Sequence, residues 1–153
     1  MNTARGEHDS PVPTRPSTGW VWLSAAWAVA LVSTFAALFI GEVMGMTPCQ
    51  LCWYQRILMF PLAVILGMAA FGNDRRGAVY AFPLALGGVA VAGYHTALIA
   101  GWVPQWRIPC GAGPSCSDQK LVILGDIQIP WLSLIAFAAI VALLLVYLRR
   151  TRS

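Results

Sequence analysis

The sequence predicts an all-α membrane protein, a bundle of four transmembrane helices. Of its 153 residues, 58% are hydrophobic and only 10% are charged, and the mean hydropathy is +0.67. Soluble domains carry about 25% charged residues. Four apolar stretches each approach or exceed the roughly 20 residues that a helix needs to cross a bilayer. Four such stretches in one short chain leave too few polar faces for a soluble helical core.

The predicted spans follow one another with short polar connections, except before the last. They cover about residues 20–41, 53–71, 78–100 and 129–148. The first is too long for the apolar region of a cleaved signal peptide, about 7–15 residues, so we expect it to persist as a helix. Residues 1–19 are rich in Pro, Ser and Thr and are predicted to be a disordered tail, and residues 149–153 form a basic tail.

The basic residues predict which side of the membrane each connection faces. One side carries both tails and the loop 72–77, with Arg5, Arg15, Arg75, Arg76, Arg149, Arg150 and Arg152. The opposite loops, about 42–52 and 101–128, hold only Arg107 and Lys120. Because cytoplasmic loops are enriched in Lys and Arg, both termini are predicted to be cytoplasmic. The net charge of +4 forms no basic stripe, so it does not indicate a nucleic-acid partner.

All four cysteines then lie in the two extracytoplasmic loops. Cys49 and Cys52 are in the first, and Cys110 and Cys116 are in the second. Disulfides persist in oxidising compartments outside the cytoplasm. The topology and the cysteine positions are derived separately, and they agree. Together they favour thiol–disulfide chemistry outside the cytoplasm.

The first pair forms a Cys-X-X-Cys motif at the predicted start of the second helix. Pro48 precedes it, and Pro is favoured in the first turn of a helix. At that position the helix dipole lowers the pKa of a cysteine. Because the thiolate is the reactive species in disulfide exchange, we expect Cys49 and Cys52 to be catalytic.

Two polar side chains are predicted at similar depth below this motif. Arg56 lies one turn, about 6 Å, beneath Cys52 on the same helical face, and His95 lies about 9 Å below the outer end of the third span. Together they are candidates to hold the carbonyl oxygens of a quinone ring. The alternatives are an arginine that extends to the headgroups and a histidine that only packs in the bundle.

The second cysteine pair is separated by five residues, with two Gly and one Pro between them. This segment can close a small ring around Cys110 and Cys116, as a redox pair or as a structural disulfide. A zinc site is a further alternative, but Cys-X5-Cys lacks the paired spacing of common zinc ribbons. We therefore expect no metal.

Three segments resemble the DsbB family of disulfide bond formation proteins. Residues 48–56, Pro-Cys-Gln-Leu-Cys-Trp-Tyr-Gln-Arg, resemble the family's signature. Residues 109–117 and 127–134 resemble the second-loop region of its BdbC-type branch, and Tyr94-His95 also matches. The resemblance covers about residues 20–148.

The resemblance implies a membrane relay that re-oxidises a soluble DsbA-like thiol oxidase of thioredoxin fold. Cys110 would form the mixed disulfide with that partner, Cys116 would exchange with Cys49, and Cys52 would become the thiolate that meets the quinone. Arg56 would assist the quinone, with Gln55 and His95 as further contacts. The resemblance also implies the bacterial plasma membrane and electron transfer through ubiquinone or menaquinone to the respiratory chain.

Two other functions fit parts of the sequence. A quinone reductase of the vitamin K epoxide reductase type also places Cys-X-X-Cys near a quinone, but its motif is expected in the last span. Here the motif opens the second. The other is a non-enzymatic membrane protein with structural disulfides or zinc, whose cysteines would not respond to quinone.

Overall fold

In a computed structural model of the chain, the described residues are 18–103, 120–121 and 127–151. These residues form four long helices: α1 (Thr18–Leu38), α2 (Gln50–Gly72), α3 (Arg75–Ile99) and α4 (Ile129–Arg150). A π-helical turn, Phe39–Val43, continues α1. Two short strands, β1 (Lys120–Leu121) and β2 (Ile127–Gln128), pair antiparallel directly before α4.

The helices form an up-and-down bundle in chain order. Each helix packs along two neighbours, so that α1, α2, α3 and α4 close a ring. All four are long and apolar enough to cross a membrane. Large apolar side chains such as Val32, Ile57, Phe71 and Ile135 point away from the bundle, as expected for a surface that faces lipid. The predicted fold class is confirmed.

The helix ends differ from the predicted spans by a few residues. α1 starts at Thr18, inside the stretch predicted to be a tail, and α4 continues through Arg150 into the predicted basic tail. α2 begins at Gln50, so Pro48 lies before its N-cap and not in its first turn. The strand pair was not predicted, because two-residue strands carry no periodicity.

A tight turn joins α2 to α3 at the end of the bundle that carries the arginines. Asn73 takes a left-handed conformation with φ 48°, which Asn tolerates better than most residues. Asp74 caps α3, and its carboxylate accepts a hydrogen bond from the Arg76 backbone N–H at 2.9 Å. Arg75 donates to Thr151 Oγ1 at the end of α4 (3.3 Å), so this turn is tied to the C-terminal end of the bundle.

Glycines allow close helix packing at several levels of the bundle. A Cβ atom at Gly67 would lie 2.8 Å from the Trp27 indole nitrogen, and one at Gly88 would lie 2.1 Å from the Phe137 ring. Small residues at such contacts let helices in membranes approach closely. The largest aliphatic side chains of the buried core are those of Leu23, Leu62, Leu66, Ile140 and Leu144.

Candidate active site

The Cys-X-X-Cys pair lies where α2 begins, at the bundle end opposite the arginine-bearing turn. Cys49 is the N-cap of α2 with an extended backbone, and its sulfur accepts a hydrogen bond from the Cys52 backbone N–H at 3.4 Å. Both residues are thiols, and their sulfur atoms are 2.9 Å apart. The capping geometry thus holds the two sulfurs in position to form a bond.

The two cysteines occupy different environments. Cys49 is 1% exposed and packs with Leu51 and Leu98. Cys52 is partly exposed and lines a cavity between α1, α2 and α4. Cys52 is therefore the sulfur that a small molecule in the cavity can reach, whereas Cys49 is enclosed by protein.

His95 lies beside Cys49. Its Nε2 atom is 3.9 Å from the Cys49 sulfur, and its Nδ1 atom is 3.1 Å from Gln55 Nε2. All three side chains are buried. With the amide of Gln55 donating to Nδ1, a neutral imidazole carries its proton on Nε2 and directs it toward Cys49. His95 and Gln55 were both predicted to contact a quinone. In the structure Gln55 borders the cavity, but His95 is not among its lining residues.

The pKa of Cys49, which precedes the first residue of α2, is raised from 9.0 to about 12. The largest cause is the hydrogen bond with Cys52, followed by burial, and the contact with His95 acts in the opposite direction. The sequence predicted a lowered pKa from the helix dipole. That prediction is wrong for Cys49, because the adjacent thiol and desolvation outweigh the dipole.

Arg56 lines the cavity and is held by two contacts. Its Nη2 atom donates to the Ala37 carbonyl of α1 at 2.7 Å, and its guanidinium lies 5.8 Å from the centre of the Trp53 ring. Both contacts are within the bundle, so Arg56 does not simply extend to the headgroups. A cation one turn below Cys52 remains next to the cavity.

The cavity is mainly apolar and has a volume of about 160 Å³. An apolar cavity of about 150 Å³ can bind benzene, so this one has room for a single six-membered ring. Leu132 lines it and is 44% exposed, which brings the cavity to the lipid-facing surface. Its lining residues are Ser33, Ala36, Ala37, Ile40, Met46, Pro48, Cys52, Gln55, Arg56, Met59, Ile129, Leu132, Ser133, Ala136 and Phe137.

Several of these lining residues were not predicted from the sequence. Ser33 on α1 and Ser133 on α4 bring hydroxyl groups to the cavity, and Phe137 closes part of its wall. A serine inside an otherwise apolar span is a weak signal by itself. The rotation of α1 and α4 that turns these residues inward depends on packing and is not encoded in local spacing.

Cys49, Cys52 and His95 also form the one group of potential metal ligands within the described part of the chain, with ligand atoms within 4.8 Å of one another. Two thiolates on a tetrahedral zinc, each about 2.3 Å from the ion, lie about 3.8 Å apart. The sulfurs here are 2.9 Å apart. This spacing suits a dithiol that closes to a disulfide better than a zinc site. Cys110 and Cys116 lie outside the described residues.

The known proteins that this chain resembles are disulfide formation proteins. The family described as "Disulfide bond formation protein DsbB" matches residues 18–147. The chain is 50% identical over 133 residues to a probable disulfide formation protein of Metapseudomonas resinovorans, covering 86% of this chain and 92% of the relative. It is 42% identical over 123 residues to disulfide bond formation protein C of Bacillus subtilis (strain 168), covering 79% and 88%.

No solved structure matches the chain. The family match spans all four helices, and its members are disulfide oxidoreductases. The prediction of an enzyme that forms protein disulfides is confirmed. The chain belongs to the DsbB family of disulfide bond formation proteins.

Proposed function

We propose that this membrane disulfide oxidoreductase re-oxidises a soluble DsbA-like thiol oxidase and passes the electrons to a membrane quinone. The observation that carries the proposal is the shared cavity of Cys52 and Arg56. One wall thus presents a sulfur and, one turn away, a cation, while the remaining walls are largely apolar. DsbB family proteins are quinone-linked, and this lining suits a quinone ring. When bound, a quinone accepts two electrons and two protons.

In the proposed relay, the four cysteines exchange disulfides in a fixed order. The reduced partner attacks Cys110 of the Cys110–Cys116 disulfide, and the Cys116 thiolate then attacks Cys49 of the Cys49–Cys52 disulfide. Cys52 leaves as a thiolate in the cavity. The partner's second thiol releases the partner as a disulfide, Cys110 recovers its bond to Cys116, and Cys49 becomes a thiol. Loss of two electrons and two protons from Cys49 and Cys52 restores their disulfide.

His95 stabilises the thiolate of Cys49. A thiol with a pKa of about 12 is a poor leaving group as a bare thiolate. The Nε2–H of His95, 3.9 Å away, can donate a hydrogen bond to the Cys49 sulfur as it leaves and so stabilise its negative charge. Gln55 keeps the ring oriented by its hydrogen bond to Nδ1.

The membrane orientation is part of the proposal. Arg75, Arg76, Arg149 and Arg150 all lie at the bundle end opposite Cys49. By the positive-inside rule that end faces the cytoplasm. The cysteine end then faces outward in the bacterial plasma membrane, where the partner oxidase is found. Ubiquinone or menaquinone of the respiratory chain would serve as the acceptor.

The test is quinone-dependent loss of thiols under anaerobic conditions. The reduced protein in lipid nanodiscs receives a soluble ubiquinone analogue, and remaining thiols are counted by alkylation and mass shift. We expect all four thiols to be lost, Cys52→Ser to prevent oxidation of the Cys49 pair, and Arg56→Ala to slow it. Arg76→Ala, a matched arginine at the opposite end, should react like the unmodified protein. Thiols that stay reduced with excess quinone would overturn the proposal.

A further inference from the structure

The Arg56 guanidinium occupies the space where a side chain at position 41 would be. A Cβ atom built on Gly41 would lie 2.9 Å from Arg56 Nη2 and 3.0 Å from Nη1. Carbon and nitrogen atoms do not normally approach so closely. The absence of a side chain at Gly41 thus leaves room for the guanidinium to reach the Ala37 carbonyl.

Gly41 belongs to the π-helical turn that ends the first span. In this turn, Phe39–Val43, the winding is wider than in an α-helix, and the Met44 backbone N–H donates to the Phe39 carbonyl at 3.1 Å. Such turns within α-helices occur frequently at functional sites. The C-terminal end of a helix also carries partial negative charge, so this end of the first span is a favourable place for a cation.

We propose that Gly41 is a positioning residue for the quinone site. By leaving room for the guanidinium, it keeps Arg56 on the wall of the cavity, next to Ala37. A larger residue at 41 would push the guanidinium away from Ala37, and because Arg56 lines the cavity, we expect the displaced guanidinium to enter it. The cation would then occupy part of the volume that the ring needs. This inference rests on the proposed quinone function.

The experiment measures quinone binding without turnover. In a Cys52→Ser background, the Kd of a soluble ubiquinone analogue is determined by equilibrium dialysis in nanodiscs. Gly41→Ala should raise the Kd about tenfold or more, because the displaced guanidinium overlaps the volume that the ring needs and overpacking weakens binding by at least that factor. The control is Gly87→Ala, whose Cβ would lie 3.8 Å from Leu58, an ordinary contact. It should leave the Kd unchanged, and both variants should unfold at a similar temperature without quinone.

A double-variant cycle separates positioning from a structural effect. When Arg56 is replaced by Ala, Gly41→Ala has no guanidinium to displace, so it should no longer change the Kd. An equal increase with and without Arg56, or no increase at all, would overturn the role of Gly41. In either case quinone-dependent thiol loss by the protein with all four cysteines would still stand. Absence of that thiol loss would instead contradict the proposed function.

Discussion

The Nε2 atom of His95 lies 3.9 Å from the sulfur of Cys49, at the point where α3 passes the start of α2. The hydrogen bond with Cys52 raises the pKa of Cys49, and the contact with His95 lowers it. The histidine therefore favours the thiolate of a sulfur that its other neighbour keeps protonated. The His95 ring thus lies against Cys49, and it is not among the residues that line the cavity.

Replacing His95 should slow disulfide exchange at Cys49 and leave quinone affinity intact. We expect His95→Ala to lower kcat for oxidation of a thioredoxin-fold dithiol by about tenfold, the loss of one hydrogen bond to a charged group. The KM for quinone should stay within about twofold, because the ring is not among the cavity's lining residues. The neighbouring change Tyr94→Phe is the control. A raised KM with unchanged kcat would place His95 at the quinone instead.

The two cysteines should differ in their reaction with iodoacetamide. In reduced protein carrying Cys110→Ser and Cys116→Ser, Cys52 should be alkylated first, since Cys49 is buried and its pKa is raised to about 12. A raised pKa keeps Cys49 as the thiol at neutral pH, so its alkylation rate should increase as pH rises toward 12. Mass spectrometry of tryptic peptides measures both rates, and denatured protein gives the intrinsic reference.

Removing the neighbouring thiol tests the cause of that raised pKa. The hydrogen bond with Cys52 is its largest contribution, so Cys52→Ala should shift the pKa of Cys49 down toward 9.0, the unperturbed value. The pH profile of Cys49 alkylation should then move to lower pH. An unchanged profile would mean that burial alone sets the pKa.

The four helices could be predicted from the sequence, because the length of each apolar stretch matches the thickness of a bilayer. It was also sufficient to place Arg56 one turn below Cys52, since both are on one helix and their spacing fixes their geometry. The contact between His95 and Cys49 joins two helices, and depth alone did not reveal it. The same holds for Ser33 and Ser133, which reach the cavity only through the packing of α1 and α4.

The second cysteine pair should be required for the partner but not for the quinone. In a protein carrying Cys110→Ser and Cys116→Ser, the Cys49 and Cys52 thiols should be oxidised by soluble quinone at an unchanged rate. Oxidation of the reduced thioredoxin-fold partner should be lost, because the proposed relay takes electrons from the partner only through Cys110 and Cys116. Paired assays of thiol loss and partner oxidation measure both. Continued partner oxidation would show that the partner reaches the first pair directly.

The close packing of Gly88 against Phe137, which lines the cavity, should affect the stability of the bundle. A Cβ at position 88 would lie 2.1 Å from the Phe137 ring, and such overpacking costs about 1–3 kcal/mol. Gly88→Ala should thus lower the unfolding temperature in detergent. Gly93→Ala, whose Cβ would come no closer than 4.0 Å to Leu134, is the control. Combining Gly88→Ala with Phe137→Leu should restore much of the stability, because the smaller side chain removes the overlap; failure of that rescue would locate the strain elsewhere.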